Sequence, residues 1–203
     1  MRMGVFGGTF DPVHLGHLIM AEQCREQAGL DEVRFIPAAR PPHKLDRGFS
    51  PFVDRVEMLR LAVAGHPGFV IDDLEAERPG PSFTVDTLEA LTIRYPEANL
   101  ELIVGGDCLG DLPGWREPAR ILELAELLIV RRPGFAGVTP EQLRQSLGLG
   151  AEAPVYCREI DSPLVEISSH EIRERVASSR SVRYWTPRAV ECYIEAHKLY
   201  KKS

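Results

Sequence analysis

A short apolar run at residues 3–6 ends in Gly7-Gly8, and the chain then reaches His14 and His17 at the head of an apolar-periodic stretch. That order reads as strand, glycine turn and helix start. With a second apolar run at 33–36 it forms a strand–helix–strand unit, the basis of a parallel sheet. Such a junction points unpaired backbone N–H groups and the positive end of a helix dipole at one spot, which makes an anion site. Gly7 and Gly8 let the backbone turn tightly and approach a ligand closely. His14 and His17, three residues apart, share a helix face, where imidazoles donate to phosphate oxygens and gain charge as negative charge accumulates. Each feature alone is commonplace: paired glycines usually make only a turn, and a histidine pair on a helix is usually decoration. Their conjunction directly after the first strand points to chemistry. No cysteine or carboxylate stands at a familiar zinc spacing there, and HExxH is absent.

The rest of the chain alternates in the same way. A helix over 14–28, with Leu15, Leu18, Ile19, Cys24 and Ala28 as its stripe, stops at Gly29. Residues 37–44 are too proline-rich for a helix or central strand. They read as a loop at the carboxyl end of a strand, where Arg40 and Lys44 either reach a phosphate or form a solvated basic face. Ser50-Pro51 starts a helix that ends at Gly65, with Ser50 at the N-cap and Pro51 at the first helical position. A strand at 69–72, a Gly/Pro loop and a helix over 85–95 follow. The apolar strand at 100–104 runs into Gly105-Gly106-Asp107, where a carboxylate accepts hydrogen bonds from a ribose diol and glycines admit a sugar or base. Trp115 in the next loop offers either a stacking face or an ordinary core or rim aromatic.

A strand at 127–130, a capped helix over 140–147 and a strand at 155–160 lead to Ser168, which makes a capping box with Glu171. Two hydroxyls (Ser168, Ser169), free N–H groups and Arg173 one turn in grip a polyphosphate, or else this is an ordinary capped helix. The last helix starts at Thr186-Pro187, and Leu199-Tyr200 after it is assigned to packing. The expectation is an α/β fold: a Rossmann-like open, mainly parallel sheet flanked by helices, with a small C-terminal helical part.

Two hundred and three residues suit one domain, here 1–203. A net charge of −6 argues against a nucleic-acid partner. Four scattered cysteines without a CxxC fit a reducing cytoplasm. No apolar run approaches a membrane span, and no signal-peptide core is visible, so no membrane partner is expected. The residues assign no oligomeric state.

The stretch GGTFDPVHLGH, residues 7–17, resembles the signature of the HxGH nucleotidyltransferase superfamily, in the form found in bacterial nicotinate-nucleotide adenylyltransferases. PPHK at 41–44, GPSFTVDTL at 80–88, ISSHEIR at 167–173 and the C-terminal Leu199-Tyr200 extend the resemblance over nearly the whole chain. It implies the nucleotidyltransferase fold and transfer of the adenylyl group of ATP to nicotinate mononucleotide, a step of NAD biosynthesis. It also implies catalytic roles for His14, His17, Lys44 and Arg173. ATP contacts fall to Gly7, Gly8, Thr9, Phe10, Gly105, Asp107, Ser168 and Ser169. Phe83 and Thr84 are implied at the pyridine carboxylate and Trp115 near the nicotinate ring. Mg²⁺ is expected to come with ATP, held by the phosphates, because the motifs contain no carboxylate cluster and hence no protein-held metal site. The chain departs from the family pattern at His170, where a hydroxyl residue is usual. Nicotinamide mononucleotide or phosphopantetheine as acceptor, and a non-catalytic nucleotide sensor, are the alternatives. Walker GxxxxGK[ST] and GxGxxG are both missing, which argues against a P-loop kinase and a dehydrogenase.

Overall fold

A computed structural model describes residues 1–41, 49–131 and 137–201. In chain order the strands are β1 (Arg2–Gly8), β2 (Glu32–Pro37), β3 (Phe69–Ile71), β4 (Asn99–Gly105), β5 (Ala125–Val130) and β6 (Cys157–Ile160). The helices are α1 (Leu15–Ala28), α2 (Phe52–Val63), α3 (Thr84–Arg94), α4 (Pro118–Leu124), α5 (Pro140–Ser146), α6 (Ser169–Ala177) and α7 (Arg188–Ala196). The strands form one sheet in the order β3-β2-β1-β4-β5-β6, and every neighbouring pair is parallel. This is the open, helix-flanked parallel sheet expected from the sequence.

Parallel strands covered on both faces must be apolar on both, and β5 shows why its sequence reads as a continuous run. Leu127 and Ile129 pack with Met3, Val5, Leu88 and Ile121 on the side of α3 and α4. Leu128 and Val130 point the other way, into a cluster with Phe6, Cys24, Met58 and Val190 from β1, α1, α2 and α7. Glu101 is the exception inside β4. It is buried, and the Arg2 guanidinium meets its carboxylate at 2.7 Å, as a buried charge requires.

Register decides where the sheet opens. β1 pairs with β4 only as far as Val5↔Leu102. Beyond that, β1 stays with β2 up to Gly8↔Pro37, and β4 stays with β5 up to Gly105↔Val130. The order reverses between β1 and β4, so their carboxyl ends part at the topological switch point, where open α/β sheets hold their ligands.

Local details differ from the expectations. Gly7 and Gly8 are not in a turn: they are the last paired residues of β1, and neither has a positive φ. The seam of α1 is Gly16, Met20, Ala21, Cys24 and Ala28, whereas Leu15, Leu18 and Ile19 are only partly covered. Helix α2 begins one residue later than expected, with Pro51 at the N-cap position in extended geometry and Ser50 outside it. Phe83, not Thr84, occupies the N-cap of α3. Helix α4 was not expected, because its seven residues are too few to show a period. Gly29 closes α1 in the left-handed region, and Thr139 with Gln142 forms the anticipated capping box of α5. Among the described residues no helix is long and apolar enough to cross a membrane.

Candidate active site

Residues 9–14 leave the end of β1 and reach α1 outside the sheet, so their backbone carbonyls need partners from elsewhere. Side chains supply them. Arg55 Nη1 donates to Thr9 O at 2.9 Å and to Ala38 O at 2.8 Å, and its Nε donates to Ser50 O at 3.2 Å. Arg173 Nη1 donates to Asp11 O at 2.7 Å, Ser169 Oγ to Pro12 O at 2.8 Å, and Thr186 Oγ1 to Val13 O at 2.7 Å. The Asp11 carboxylate is buried. It accepts from Tyr200 Oη at 2.6 Å and from the Ser50 N–H at 3.3 Å. Burial pulls Arg55 below the ordinary arginine range, with the charge of Asp11 opposing it.

Two glycines take their identity from this packing. The buried ring of Phe10 folds over Gly8, where a Cβ would fall 2.8 Å from its Cζ. Phe10 itself carries a left-handed φ of 49° and meets His17 edge-on at 5.1 Å. Gly16 makes room for the His14 ring, because a Cβ there would lie 3.1 Å from Nδ1. A side chain between the histidines would thus crowd the ring of the first one, which would have to shift slightly to admit it.

His14 is the N-cap of α1, buried at 3% exposure, and its ring stacks on His17 at 3.6 Å. The His14 backbone N–H donates to His17 Nδ1 at 3.2 Å. A neutral His17 ring therefore carries its proton on Nε2 and presents it as a donor. Opposite, Ser168 caps α6 by accepting from the Glu171 N–H at 3.1 Å. The Ser169 hydroxyl hydrogen goes to Pro12 O, which leaves the α6 N-terminus as its contribution to an anion.

These groups surround one cleft of about 830 Å³, a volume suited to a nucleotide. Thr9, Phe10, His14, His17, Asp107, Ser168, Ser169 and Arg173 all line it, and so does His170. Asp107 is exposed, in the 3-10 turn Gly106–Cys108 that directly follows β4. Asp11 also lines the cleft. Sequence reading missed Asp11, Arg55, Thr186 and Tyr200. Asp11 sits in plain view inside the signature, Thr186 was read only as a helix start and Tyr200 only as packing, and Arg55 carries no local motif.

The remaining candidates lie elsewhere. Gly8 and Gly105 end the two strands that part, Gly7 precedes the last residue of β1, and a Cβ at Gly7 would meet nothing within 4 Å. Gly7, Gly8 and Gly105 do not line the cleft, and neither do Phe83, Thr84 and Trp115. Phe83 and Trp115 are partly buried against the core on the α3 face, the opposite side of the sheet from Phe10. Arg116 joins their two loops: its guanidinium lies 5.0 Å from the Phe83 ring centroid, and Nη1 is 3.5 Å from the Asp86 carboxylate. The backbones of Arg40 and Ser82 meet there too, at 2.9 Å. Lys44 lies outside the described residues. Among the described residues no three His, Cys, Asp or Glu side chains gather as metal ligands. The donors around the cleft are imidazoles, helix N–H groups and a guanidinium, which suit phosphate oxygens.

Comparison with known proteins agrees with this geometry. The cytidylyltransferase-like family model matches residues 5–175. A probable nicotinate-nucleotide adenylyltransferase of Thermus thermophilus is 48% identical over 201 residues, covering 99% of this chain and 100% of that one. Its counterpart from Thermomicrobium roseum is 45% identical over 200 residues, covering 98% of this chain and 92% of that one. Among solved structures, the nicotinic acid mononucleotide adenylyltransferase of Plasmodium falciparum complexed with NaAD superposes with a TM-score of 0.79. That likeness covers 98% of this chain and 97% of the other at 18% identity, and it shows the shared fold.

Proposed function

This chain belongs to the cytidylyltransferase-like family, and we infer that it transfers the adenylyl group of ATP to nicotinate mononucleotide, releasing nicotinate adenine dinucleotide and pyrophosphate. The observation that carries the reading is the convergence of two helix N-termini, two stacked histidines, Arg173 and Asp107 on one cleft at the switch point. The full-length relatives named for this activity support it.

In this reading a phosphate oxygen of the mononucleotide attacks the α-phosphorus of ATP. The bond from that phosphorus to the oxygen bridging to the β-phosphate breaks, and pyrophosphate leaves. The nucleophile is already an anion, so no strong base is required, and catalysis rests on positioning and charge stabilisation. His17 donates from Nε2 to the α-phosphate as charge grows there, and its hydrogen bond from the His14 backbone supports that tautomer. His14 shares the phosphate site. Lys44 reaches a phosphate from the mononucleotide side, and Arg173 and the α6 N-terminus with Ser168 and Ser169 hold the leaving pyrophosphate. Thr9 and Phe10 line the nucleotide, Gly7, Gly8 and Gly105 admit it to the strand ends, and Asp107 accepts from a ribose. Phe83 and Thr84 receive the pyridine carboxylate, and Trp115 stacks on the ring. Mg²⁺ bound with ATP would neutralise charge on its phosphates, while the residues of this chain hold and orient those phosphates. The phosphate-binding character of the cleft side chains supports its being held by the nucleotide. We take 1–203 as one catalytic domain and its place of action as the cytoplasm, a reading that the scattered cysteine thiols support.

The test is pyrophosphate release from Mg·ATP with nicotinate mononucleotide, nicotinamide mononucleotide and phosphopantetheine in parallel. Release far above the others with nicotinate mononucleotide is expected. Release only with another acceptor would keep the mechanism and overturn the substrate, and release with none would leave a nucleotide sensor.

A further inference from the structure

The C-terminal end of the chain reaches the site through one hydroxyl. After α7 the backbone turns back, with the His197 N–H on Tyr193 O at 3.0 Å and the Leu199 N–H on Ile194 O at 3.1 Å. Lys198 and Tyr200 both take left-handed φ, 53° and 63°. For residues with a Cβ that conformation is strained, and it persists only where the surroundings over-determine it. Here the compensating interaction is the 2.6 Å bond from the Tyr200 hydroxyl to Asp11 Oδ1.

Asp11 is 1% exposed, so its carboxylate needs bonds to both oxygens. The Ser50 N–H supplies a long one, 3.3 Å, to Oδ2, and Tyr200 supplies the short, charge-assisted one. Burial and the neighbouring Asp11 charge push the Tyr200 phenol far up, so it stays a donor at any physiological pH. Asp11 is followed directly by Pro12 and Val13, and these lead into His14, the N-cap of α1. Its own carbonyl is the acceptor for Arg173. A shift of Asp11 therefore moves both halves of the phosphate site.

We propose that Tyr200 is a positioning residue for the adenylyl transfer, an inference that rests on the function assigned above: its hydroxyl anchors Asp11 and so holds residues 9–14 in the shape that presents His14, His17 and Arg173 to the phosphates. The structure contains its own control. Tyr193, on α7, donates to the Asp54 carboxylate at 2.7 Å, a bond of the same kind between C-terminal segment and body. Asp54 lies on α2 and does not line the cleft.

The experiment compares Tyr200→Phe and Tyr193→Phe with the unmodified protein. Each removes one oxygen and keeps the ring. Three quantities are read: kcat and KM for pyrophosphate release with ATP and nicotinate mononucleotide, amide hydrogen exchange over residues 9–17, and Tm. Tyr200→Phe is expected to lower kcat about tenfold, to raise exchange over 9–17 about as much, and to leave the KM for nicotinate mononucleotide within about twofold. Tyr193→Phe is expected to lower Tm by less, because Asp54 stays partly exposed, and to leave kcat and that exchange within about twofold. The proposal is overturned if Tyr200→Phe keeps both kcat and exchange, or if Tyr193→Phe changes both equally. An unmodified protein that releases no pyrophosphate with nicotinate mononucleotide would sink the functional reading instead. The exchange contrast would then still decide whether Tyr200 holds the loop.

Discussion

The two sides of the switch point are built differently. On the phosphate side, the carbonyls of Thr9, Asp11, Pro12 and Val13 are each bonded by a side chain from a distant part of the chain. The rings of Phe6, Phe10, Phe35 and His17 pack against one another beneath them. On the side of Phe83 and Trp115, the contacts between loops include, among the described residues, the Arg40–Ser82 bonds, an Arg116 guanidinium over Phe83 and an Arg116–Asp86 pair that is half exposed on the arginine side. Exposed pairs of that kind contribute little. The contrast suits the chemistry: charge developing on phosphorus needs donors fixed in advance, whereas a ring and a carboxylate need only be received. Substitutions on the phosphate side should therefore act on kcat, and those on the other side on the KM of the acceptor.

Three substitutions separate the two sides, and a fourth lies outside both. The largest effect is expected for His17→Ala, a kcat loss of about a hundredfold or more, as for removal of one preorganised donor. Steady-state kinetics giving turnover close to that of the unmodified protein would remove His17 from the transition state. Next is Arg55→Met, which leaves the carbonyls of Thr9, Ala38 and Ser50 without their cationic donor. A stability loss of about 3 kcal/mol is expected in urea unfolding, with kcat falling alongside it. A loss of stability at unchanged kcat in the folded fraction would mean that the grip on residues 9–14 matters only for folding. Trp115→Ala should raise the KM for nicotinate mononucleotide by roughly tenfold, at most, with kcat nearly kept. A kcat loss as deep as that of His17→Ala would erase the distinction between the two sides.

The smallest effect is away from both. Burial raises the Glu191 carboxyl, but hydrogen bonds from Arg188 and Arg183 outweigh it and hold the group below its usual range. A carboxylate with a depressed folded pKa contributes stability that is complete above the unfolded value, about 4.3, and fades as pH falls through the lower folded one. Glu191→Gln should thus lower Tm modestly at pH 7 and flatten the acid limb of the Tm–pH curve below about pH 4. An unchanged acid limb would show that other carboxylates set it.

Much of this molecule was legible before any coordinates. Short apolar runs marked every strand, and glycine or a capping box marked the ends of α1 and α5 correctly. Helix α4 escaped because its seven residues show neither a period nor a capping box, the signal that marked the equally short α5; of the expected α1 stripe Cys24 and Ala28 are buried, whereas Leu15, Leu18 and Ile19 are only partly covered, Gly16, Met20 and Ala21 taking the packing face. Phosphate-side motifs far apart in sequence, at His14, His17, Asp107, Ser168 and Arg173, do meet in one cleft. Gly8 was read as part of a turn, yet a Cβ there would strike the Phe10 ring, and Gly16, to which the sequence reading gave no role, leaves room for the ring of His14.

What the residues determined by themselves is the alternation of elements and the chemical character of the site: histidines, helix starts and a guanidinium suited to phosphates. Both follow from short-range rules, since periodicity, caps and motif spacing are local. The tertiary structure alone decided what holds residues 9–14 in place. Ser169, Arg173, Thr186 and Tyr200 bond to that stretch across 157 to 189 residues of sequence. No local pattern encodes those bonds, because a carbonyl outside the sheet takes its donor from whichever helix the packed core brings against it.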